Sequence, residues 1–131
     1  MAQEIKGISP DSVASLTLAY VGDSVYELIL RTIALRRHNG RPNDLNTFAK
    51  KYSNAQAQAR IADALIDAMT EEEMAVYKRG RNAKSVSAPH TCTISEYRRA
   101  TGLEALCAWL YLKGDVARAE QLVEMGIEQV Q

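Results

Sequence analysis

Apolar side chains recur at steps of three and four along most of the chain, which is the spacing of α-helices with one buried face. The longest such segment begins after Ser9-Pro10, where Ser is a good N-cap and Pro a good first helical residue, and it ends near Asn39-Gly40. Its apolar positions are Val13, Leu16, Tyr20, Val21, Val25, Leu28, Ile29 and Ile33. Because Gly22 falls inside this segment, we expect a bend there or a break into two helices.

Shorter helical segments follow, each with its own start signal. The predicted starts are Pro42, the capping boxes Ser53–Gln56 and Thr70–Glu73, Thr93 or Ser95, and Asp115. The helices that these signals predict run from Asp44 to Lys51, through Ala57 to Met69, through Ala75 to about Arg79, through Tyr97 to Gly114, and from Asp115 to about Glu128. No alternation of period two extends over a useful length, so the pattern predicts an all-α helical bundle.

A polar stretch from Arg79 to Thr91 interrupts the helical pattern and contains Gly80 and Pro89. We interpret it as a long loop. In a compact domain such loops are usually functional.

Composition narrows the class of protein. A chain of 131 residues with 47% hydrophobic residues is expected to form one globular domain with its own core. No stretch reaches the roughly 18 apolar residues of a membrane span, and Met1 to Ser9 lacks the apolar core of a signal peptide. Cys92 and Cys107 have no metal-ligand or disulfide spacing, so we expect reduced thiols in a cytoplasmic protein.

Charge is distributed unevenly although the formal net charge is zero. Residues 31–99 hold 13 Lys or Arg and 7 Asp or Glu, a net charge of +6, whereas residues 1–30 and 100–131 each have a net charge of −3. A basic middle between acidic ends suits a protein with a polyanion-facing surface and a separate acidic site. Chance clustering on solvated faces would give the same counts.

Asp23 stands in the middle of the apolar segment "LAYVGDSVYELILR". An aspartate in an apolar stripe costs free energy unless it is paired, caps a helix or binds a metal. It could simply cap the helical half that restarts after Gly22. Glu27, one turn later, could share its face.

Glu104 stands among apolar residues in "ATGLEALCAWLYLKGD". A lone glutamate there could be a residue at the edge of the core. If the helix of Glu104 packs beside that of Asp23, however, the two carboxylates could converge. Converging carboxylates with open water positions describe a Mg²⁺ site, which can polarise a phosphate and lower the pKa of a bound water.

These segments resemble the ribonuclease III family. "YVGDSVYEL" and "GLEALCAWLYL" are similar to the two signature helices of its catalytic domain, and "DLNTFAKKYSNAQAQARIA" is similar to its connecting helices. "KRGRNAKS", Lys78 to Ser85, resembles the short subgroup called Mini-ribonuclease III, which consists of the catalytic domain alone. The resemblance runs from about Val13 to Gly114 and implies an all-α, homodimeric fold.

The resemblance also implies a site. Asp23 matches the catalytic aspartate of the family, and Glu104 matches its metal-binding glutamate. Two further acidic ligands of full-length ribonuclease III are replaced by Ala19 and Thr101, which puts a two-metal cluster in doubt. We therefore expect Mg²⁺ to be held by few carboxylates, and weakly without substrate.

The basic segment next to Gly80 is the expected RNA-binding element. Its proposed RNA contacts are Lys78, Arg79, Arg81, Asn82, Lys84 and Ser85. Arg and Lys contact phosphates, and Asn can contact a 2′-hydroxyl or a base edge. Arg98 and Arg99 are weaker candidates.

The family resemblance implies an endoribonuclease that cleaves double-stranded RNA with Mg²⁺ and leaves 5′-phosphate and 3′-hydroxyl ends. It further implies a role in maturing the precursor of large-subunit (23S) ribosomal RNA. We expect no appended double-stranded-RNA-binding domain, so affinity would come from a homodimer or from a ribosomal protein that presents the substrate. Tyr20, Val21, Val25 and Tyr26 cannot all face one side of a small bundle, and a twofold dimer would bury the remainder.

Two other functions remain open. A non-catalytic ribonuclease III-like module that binds RNA in a ribosomal particle would fit the missing carboxylates. An all-α nucleotide pyrophosphohydrolase would need Glu-x-x-Glu pairs on facing helices, whereas the only dense acidic run, Glu71 to Glu73, lies at a helix start, where the helix dipole favours acids. His38 and His90 have no arrangement that indicates catalysis.

Overall fold

The computed structural model describes residues 4–38, 40–84 and 88–131, and no strand occurs among them. The α-helices of this part are α1 (Ser15–His38), α2 (Pro42–Tyr52), α3 (Ala55–Leu65), α4 (Glu71–Asn82), α5 (Ile94–Leu112) and α6 (Val116–Val130). Short 3₁₀ turns lie at Pro10–Ser12 and Ile66–Ala68. The predicted all-α class is confirmed.

Helix α5 is the centre of the bundle. Most of its length from Ala100 onward is buried on every side, as expected for a helix that is apolar all round. Helices α1, α3 and α4 pack around α5, and α6 packs mainly on α3. Both signature segments of the sequence are therefore in the core, where their backbones are held against each other.

Most predicted helix starts are confirmed by side-chain caps. Thr70 with Glu73 and Thr93 with Glu96 form complete capping boxes, and Asp115 caps α6. The predicted box at Ser53 is wrong by one residue, because Asn54 caps α3 and accepts a hydrogen bond from the backbone N–H of Ala57 at 2.8 Å.

The first predicted helix differs in two respects. The Ser9-Pro10 signal starts a 3₁₀ turn, and α1 itself begins at Ser15. The expected break at Gly22 is wrong, because α1 continues through this residue to His38. The glycine is needed for a close approach to α5 instead.

The polar stretch after Arg79 is helical in its first part, where the sequence predicts a loop. Helix α4 continues to Asn82 because Gly80 lies on α5, where a Cβ would stand 2.9 Å from the Cα of Gly102 and from the side chain of Ala105. Packing against α5 thus outweighs the weak helix propensity of glycine.

Within the described ranges, no helix combines the length and the apolar character that a bilayer crossing requires.

Candidate active site

Asp23 and Glu104 meet where α1 crosses α5. A Cβ built on Gly22 would stand 1.8 Å from the carbonyl oxygen of Glu104, so the two backbones touch at this point. Asp23, the next residue, is exposed, and Glu104 is half-buried. Their carboxyl groups lie within hydrogen-bonding reach of each other. Two acids that are far apart in the sequence therefore share one place in the fold.

The environment of Glu104 disfavours its charge. Burial raises the pKa of Glu104 to about 8; a hydrogen bond from Gln58 opposes this shift, and the negative charge and contact of Asp23 add to it. The Gln58 side chain donates from Nε2 to Oε2 of Glu104 at 3.3 Å. Without a cation, the pair therefore avoids two adjacent negative charges by keeping a proton on Glu104 near neutral pH.

The donor set fits a Mg²⁺ ion that also needs water and substrate oxygens. Among the described residues, no group of three or more His, Cys, Asp or Glu side chains comes together. Ala19 and Thr101 are both buried, each 7% exposed, and the Thr101 hydroxyl donates to the carbonyl of Tyr97 at 2.9 Å. Mg²⁺ commonly binds through one or two carboxylates plus waters and phosphates, which is what Asp23 and Glu104 can offer.

Asp23 opens onto a cleft of about 450 Å³. The lining residues are Asp23, Ser24, Glu27, Leu28 and Arg31. Within the cleft, Glu27 forms an ion pair with Arg31 at 3.3 Å, one turn along α1, so its carboxylate has a partner of its own. The cleft gives Asp23 access to a large substrate.

The predicted RNA-binding residues are brought together at the end of α4. Lys78, Arg79, Arg81 and Asn82 lie in its last turns, Lys84 follows the helix, and Ser85 lies outside the described residues. The prediction of a loop from Arg79 is therefore wrong as far as Asn82, since these side chains project from a helix. A helix holds their spacing more rigidly than a loop would.

Arg81 belongs to a basic pocket of about 450 Å³ between the end of α4 and the start of α5. The pocket is lined by Arg81, Asn82, Ile94, Ser95, Arg98 and Arg99, and none of these lining residues is acidic. The Arg81 guanidinium lies 5.7 Å above the Tyr77 ring and donates to the Asn82 side chain at 3.2 Å. Arg99 is ion-paired with Asp63. The pocket thus has the charge and donors to take a phosphate.

Glu73 and His38 lie outside this site and have structural partners. Glu73, from the acidic run at the start of α4, is bound by Arg118 at 2.9 Å and closes the capping box. His38 lies against Phe48, with ring centroids 5.2 Å apart. The acidic run is thus explained by the helix start and by this ion pair, and not by the Glu-x-x-Glu pairs on facing helices that a pyrophosphohydrolase would need.

Gln58 is the residue of this site that sequence reasoning did not identify. It is 4% exposed, and its amide contacts Glu104. The available signal was a glutamine on the apolar face of α3, between Ala57 and Ala59.

Comparisons with known proteins agree with the helical fold and with one family. The family model of the ribonuclease III domain matches residues 16–115. A Mini-ribonuclease 3 of Symbiobacterium thermophilum is 41% identical over 94% of this chain and 95% of its own length. Another Mini-ribonuclease 3, of Enterococcus faecalis, is 40% identical over 88% of this chain and 89% of its own length. A crystal structure of a protein from Fusobacterium nucleatum superposes with a TM-score of 0.76, at 30% identity over 92% of this chain and 96% of that one.

Proposed function

The chain belongs to the ribonuclease III family, within its Mini-ribonuclease 3 group, and is an endoribonuclease of double-stranded RNA; we propose that it cuts its substrate at a Mg²⁺ site formed by Asp23 and Glu104. The observation that supports this site is the crossing of α1 and α5, where the backbone of Gly22 lies against that of Glu104 and brings Asp23 beside it. Members of the family generally depend on a divalent metal. This pair offers hard oxygen ligands, and its Asp23 lines an open cleft.

In the proposed reaction, water attacks the phosphorus of a backbone phosphodiester and the bond to the 3′-oxygen breaks. The products have 5′-phosphate and 3′-hydroxyl ends. Mg²⁺, when bound, supplies positive charge to the scissile phosphate and makes the attacking water more acidic. Asp23 and Glu104 would both hold the ion, Asp23 from its exposed position beside the cleft and Glu104 from its half-buried position on α5, and Asp23 would also orient the attacking water.

The basic pocket at the end of α4 is proposed to hold the RNA backbone. Arg98 precedes Glu104 by six residues on α5, which is about 9 Å along the helix axis, so both regions can contact one duplex. Arg81 and Arg98 would contact phosphates, and Asn82 a 2′-hydroxyl, as in recognition of A-form RNA by shape. Lys78, Arg79 and Lys84 would extend this basic surface, and we keep the prediction that Ser85 also contacts RNA.

A homodimer is proposed because α1 leaves an apolar stripe uncovered. Tyr20 is 82% exposed, and Leu16 and Leu35 extend the stripe. Leu28, 60% exposed, lies where the stripe borders the cleft beside Asp23, so the proposed interface and the active site are neighbours. Val25 and Tyr26, by contrast, are buried in the core of the protomer and are not available for the interface. A second copy on this stripe would bring two acid pairs to one duplex, one for each strand.

The biological substrate that we propose is the precursor of large-subunit (23S) ribosomal RNA in the cytoplasm, with a ribosomal protein that presents it. This assignment is supported by the family resemblance. Cells that lack the protein should accumulate 23S ribosomal RNA with extended ends, which mapping of 5′ and 3′ termini would detect. Ends identical to those of parental cells would contradict it.

A cleavage assay with duplex RNA tests the chemistry. With Mg²⁺, the parental protein should give fragments with 5′-phosphates, and Asp23→Asn and Glu104→Gln should each lower the rate by several orders of magnitude while the helical content is kept. Asp67→Asn, which alters an exposed carboxylate outside the site, is the matched control. Parental rates for Asp23→Asn would refute the proposed site. If the parental protein binds duplex RNA but does not cleave it, a non-catalytic RNA-binding role is favoured.

A further inference from the structure

Gln58 is a buried amide whose place in the fold needs an explanation. Among the described residues, the buried polar or charged side chains are Gln58, Glu73 and Thr101. Glu73 is held by Arg118, and Thr101 donates to a backbone carbonyl within its own helix. The Gln58 side chain instead reaches across from α3 to Glu104. Burying an amide costs free energy unless it is hydrogen-bonded, and an apolar residue would fill this place at lower cost.

The start of α3 holds Gln58 firmly. Asn54 caps the helix through the N–H of Ala57, and the N–H of Gln58 donates to the Asn54 carbonyl at 3.0 Å. Its neighbours Ala57 and Ala59 are 0% and 1% exposed. Because this turn is capped and packed, the amide approaches Glu104 from a fixed backbone position.

The chemistry of the two groups determines which atoms face each other. An ionised carboxylate only accepts hydrogen bonds, whereas an amide has an NH₂ group that donates and a carbonyl that accepts. The NH₂ group of Gln58 therefore faces Oε2 of Glu104 whenever this carboxylate is charged, as a metal ligand must be. The second carboxylate oxygen of Glu104 is not used by this bond.

We propose that Gln58 is a positioning residue for the metal site: its amide holds one carboxylate oxygen of Glu104 and leaves the other free for the Mg²⁺ ion that Asp23 shares. This inference rests on the proposed function. Carboxylates that bind metals are commonly fixed by such hydrogen bonds, and removal of the outer partner typically lowers metal affinity or activity 10- to 100-fold. With only two carboxylates in the site, the position of each one matters more than in a larger cluster.

The test is Gln58→Leu, which keeps the approximate volume and removes the donor. Binding of Mn²⁺, as a probe for Mg²⁺, is measured by the paramagnetic resonance of the free ion, without RNA. We expect the dissociation constant to rise about 10- to 100-fold while the free energy of unfolding stays the same or increases. The Mg²⁺ concentration that gives half-maximal cleavage should rise by a similar factor. A purely structural role for Gln58 would instead lower stability and leave metal affinity unchanged.

Gln56→Leu is the matched control, because it makes the same change two residues earlier at an exposed position whose amide donates to Thr91. It should keep parental Mn²⁺ affinity. If Gln58→Leu does not fold, the more flexible Gln58→Met replaces it in the same measurement. Parental Mn²⁺ affinity in a folded Gln58 variant overturns the inference, provided that Asp23→Asn and Glu104→Gln abolish binding. If those two variants also bind normally, the proposed metal site itself is wrong.

Discussion

The backbone of Gly22 lies directly on the carbonyl group of Glu104, and a Cβ on Gly22 would stand 1.8 Å from that oxygen. Changing Gly22 to Ala should therefore destabilise the protein by about 3 kcal/mol, as overpacking in a core does. It should also abolish cleavage, since Asp23 is the next residue. Helix propensity alone predicts the opposite effect, an increase of about 1 kcal/mol in the free energy of unfolding. Chemical denaturation measures the difference, with Thr17→Ala, at an exposed position of α1, as the control.

Binding of Mg²⁺ should release protons near neutral pH. Burial raises the pKa of Glu104 to about 8, and a metal ligand must be ionised. At pH 7 we expect the release of nearly one proton per site, falling towards zero above pH 9. Calorimetry in buffers of different ionisation enthalpy measures the number of protons. Equal release at pH 7 and pH 9 would contradict the protonated state assigned to Glu104.

The same raised pKa makes the stability of the metal-free protein depend on pH. Folded Glu104 keeps its proton up to about pH 8, whereas the unfolded chain loses it near the ordinary glutamate value of 4.5. The contribution of Glu104 to the free energy of unfolding is therefore fully present below pH 4.5 and is lost as the pH rises to 8. Glu104→Gln should remove this dependence on pH. The free energy of unfolding of the variant should therefore be higher than that of the parental protein by a few kcal/mol at pH 8.5. Denaturation at pH 5 and pH 8.5 with a chelator tests this difference.

The basic pocket makes a prediction about salt. Arg81→Gln with Arg98→Gln should weaken binding to duplex RNA and reduce the slope of log affinity against log salt by about one for each phosphate that is no longer bound. The control replaces Arg36 and Arg37 by Gln; these cations are paired with glutamates of α6. If the slope falls by the same amount in the control, the effect is one of overall charge, and the pocket has no specific role in RNA recognition.

The apolar stripe on α1 predicts the effect of a charge at Tyr20. Because Tyr20 is 82% exposed, Tyr20→Glu should leave the protomer folded but prevent its association, since an unpaired charge in an interface is costly. Sedimentation should show monomers at concentrations where the parental protein is dimeric. Gln129→Glu, at an exposed position of α6, should not change association. A dimeric Tyr20→Glu variant would move the interface elsewhere.

The ion pair between Glu73 and Arg118 should stabilise the protein measurably. Glu73 is 4% exposed, so Arg118→Leu leaves this buried carboxylate with only the backbone N–H of Thr70 as a partner and should cost about 2 kcal/mol. The Arg118 hydrogen bond lowers the pKa of Glu73, and the resulting stability is present above pH 4.5 and lost as the pH falls through the lowered pKa. Arg118→Leu should reduce this acid sensitivity, which denaturation at pH 3 and pH 7 measures.

Several features can be predicted from the sequence because they depend on neighbouring residues. Thr70, Thr93 and Asp115 are caps whose partners lie three residues away, and a local pattern suffices to find them. The expected break at Gly22 and the expected loop at the end of α4 are wrong because their local signals favour an interruption, while contact with α5 favours a continuous helix. Such a contact joins residues that the local pattern does not connect.

The sequence by itself determined the helical class, most helix starts, the family resemblance and the two acidic residues that do not suit an apolar stripe. Only the tertiary structure brought Asp23 against Glu104, added Gln58 to the pair and left Tyr20 uncovered while Val25 and Tyr26 entered the core. The physical reason is that hydrogen bonds within a helix depend on residues a few positions apart. The environment of a carboxyl group depends instead on whichever helix packs across it.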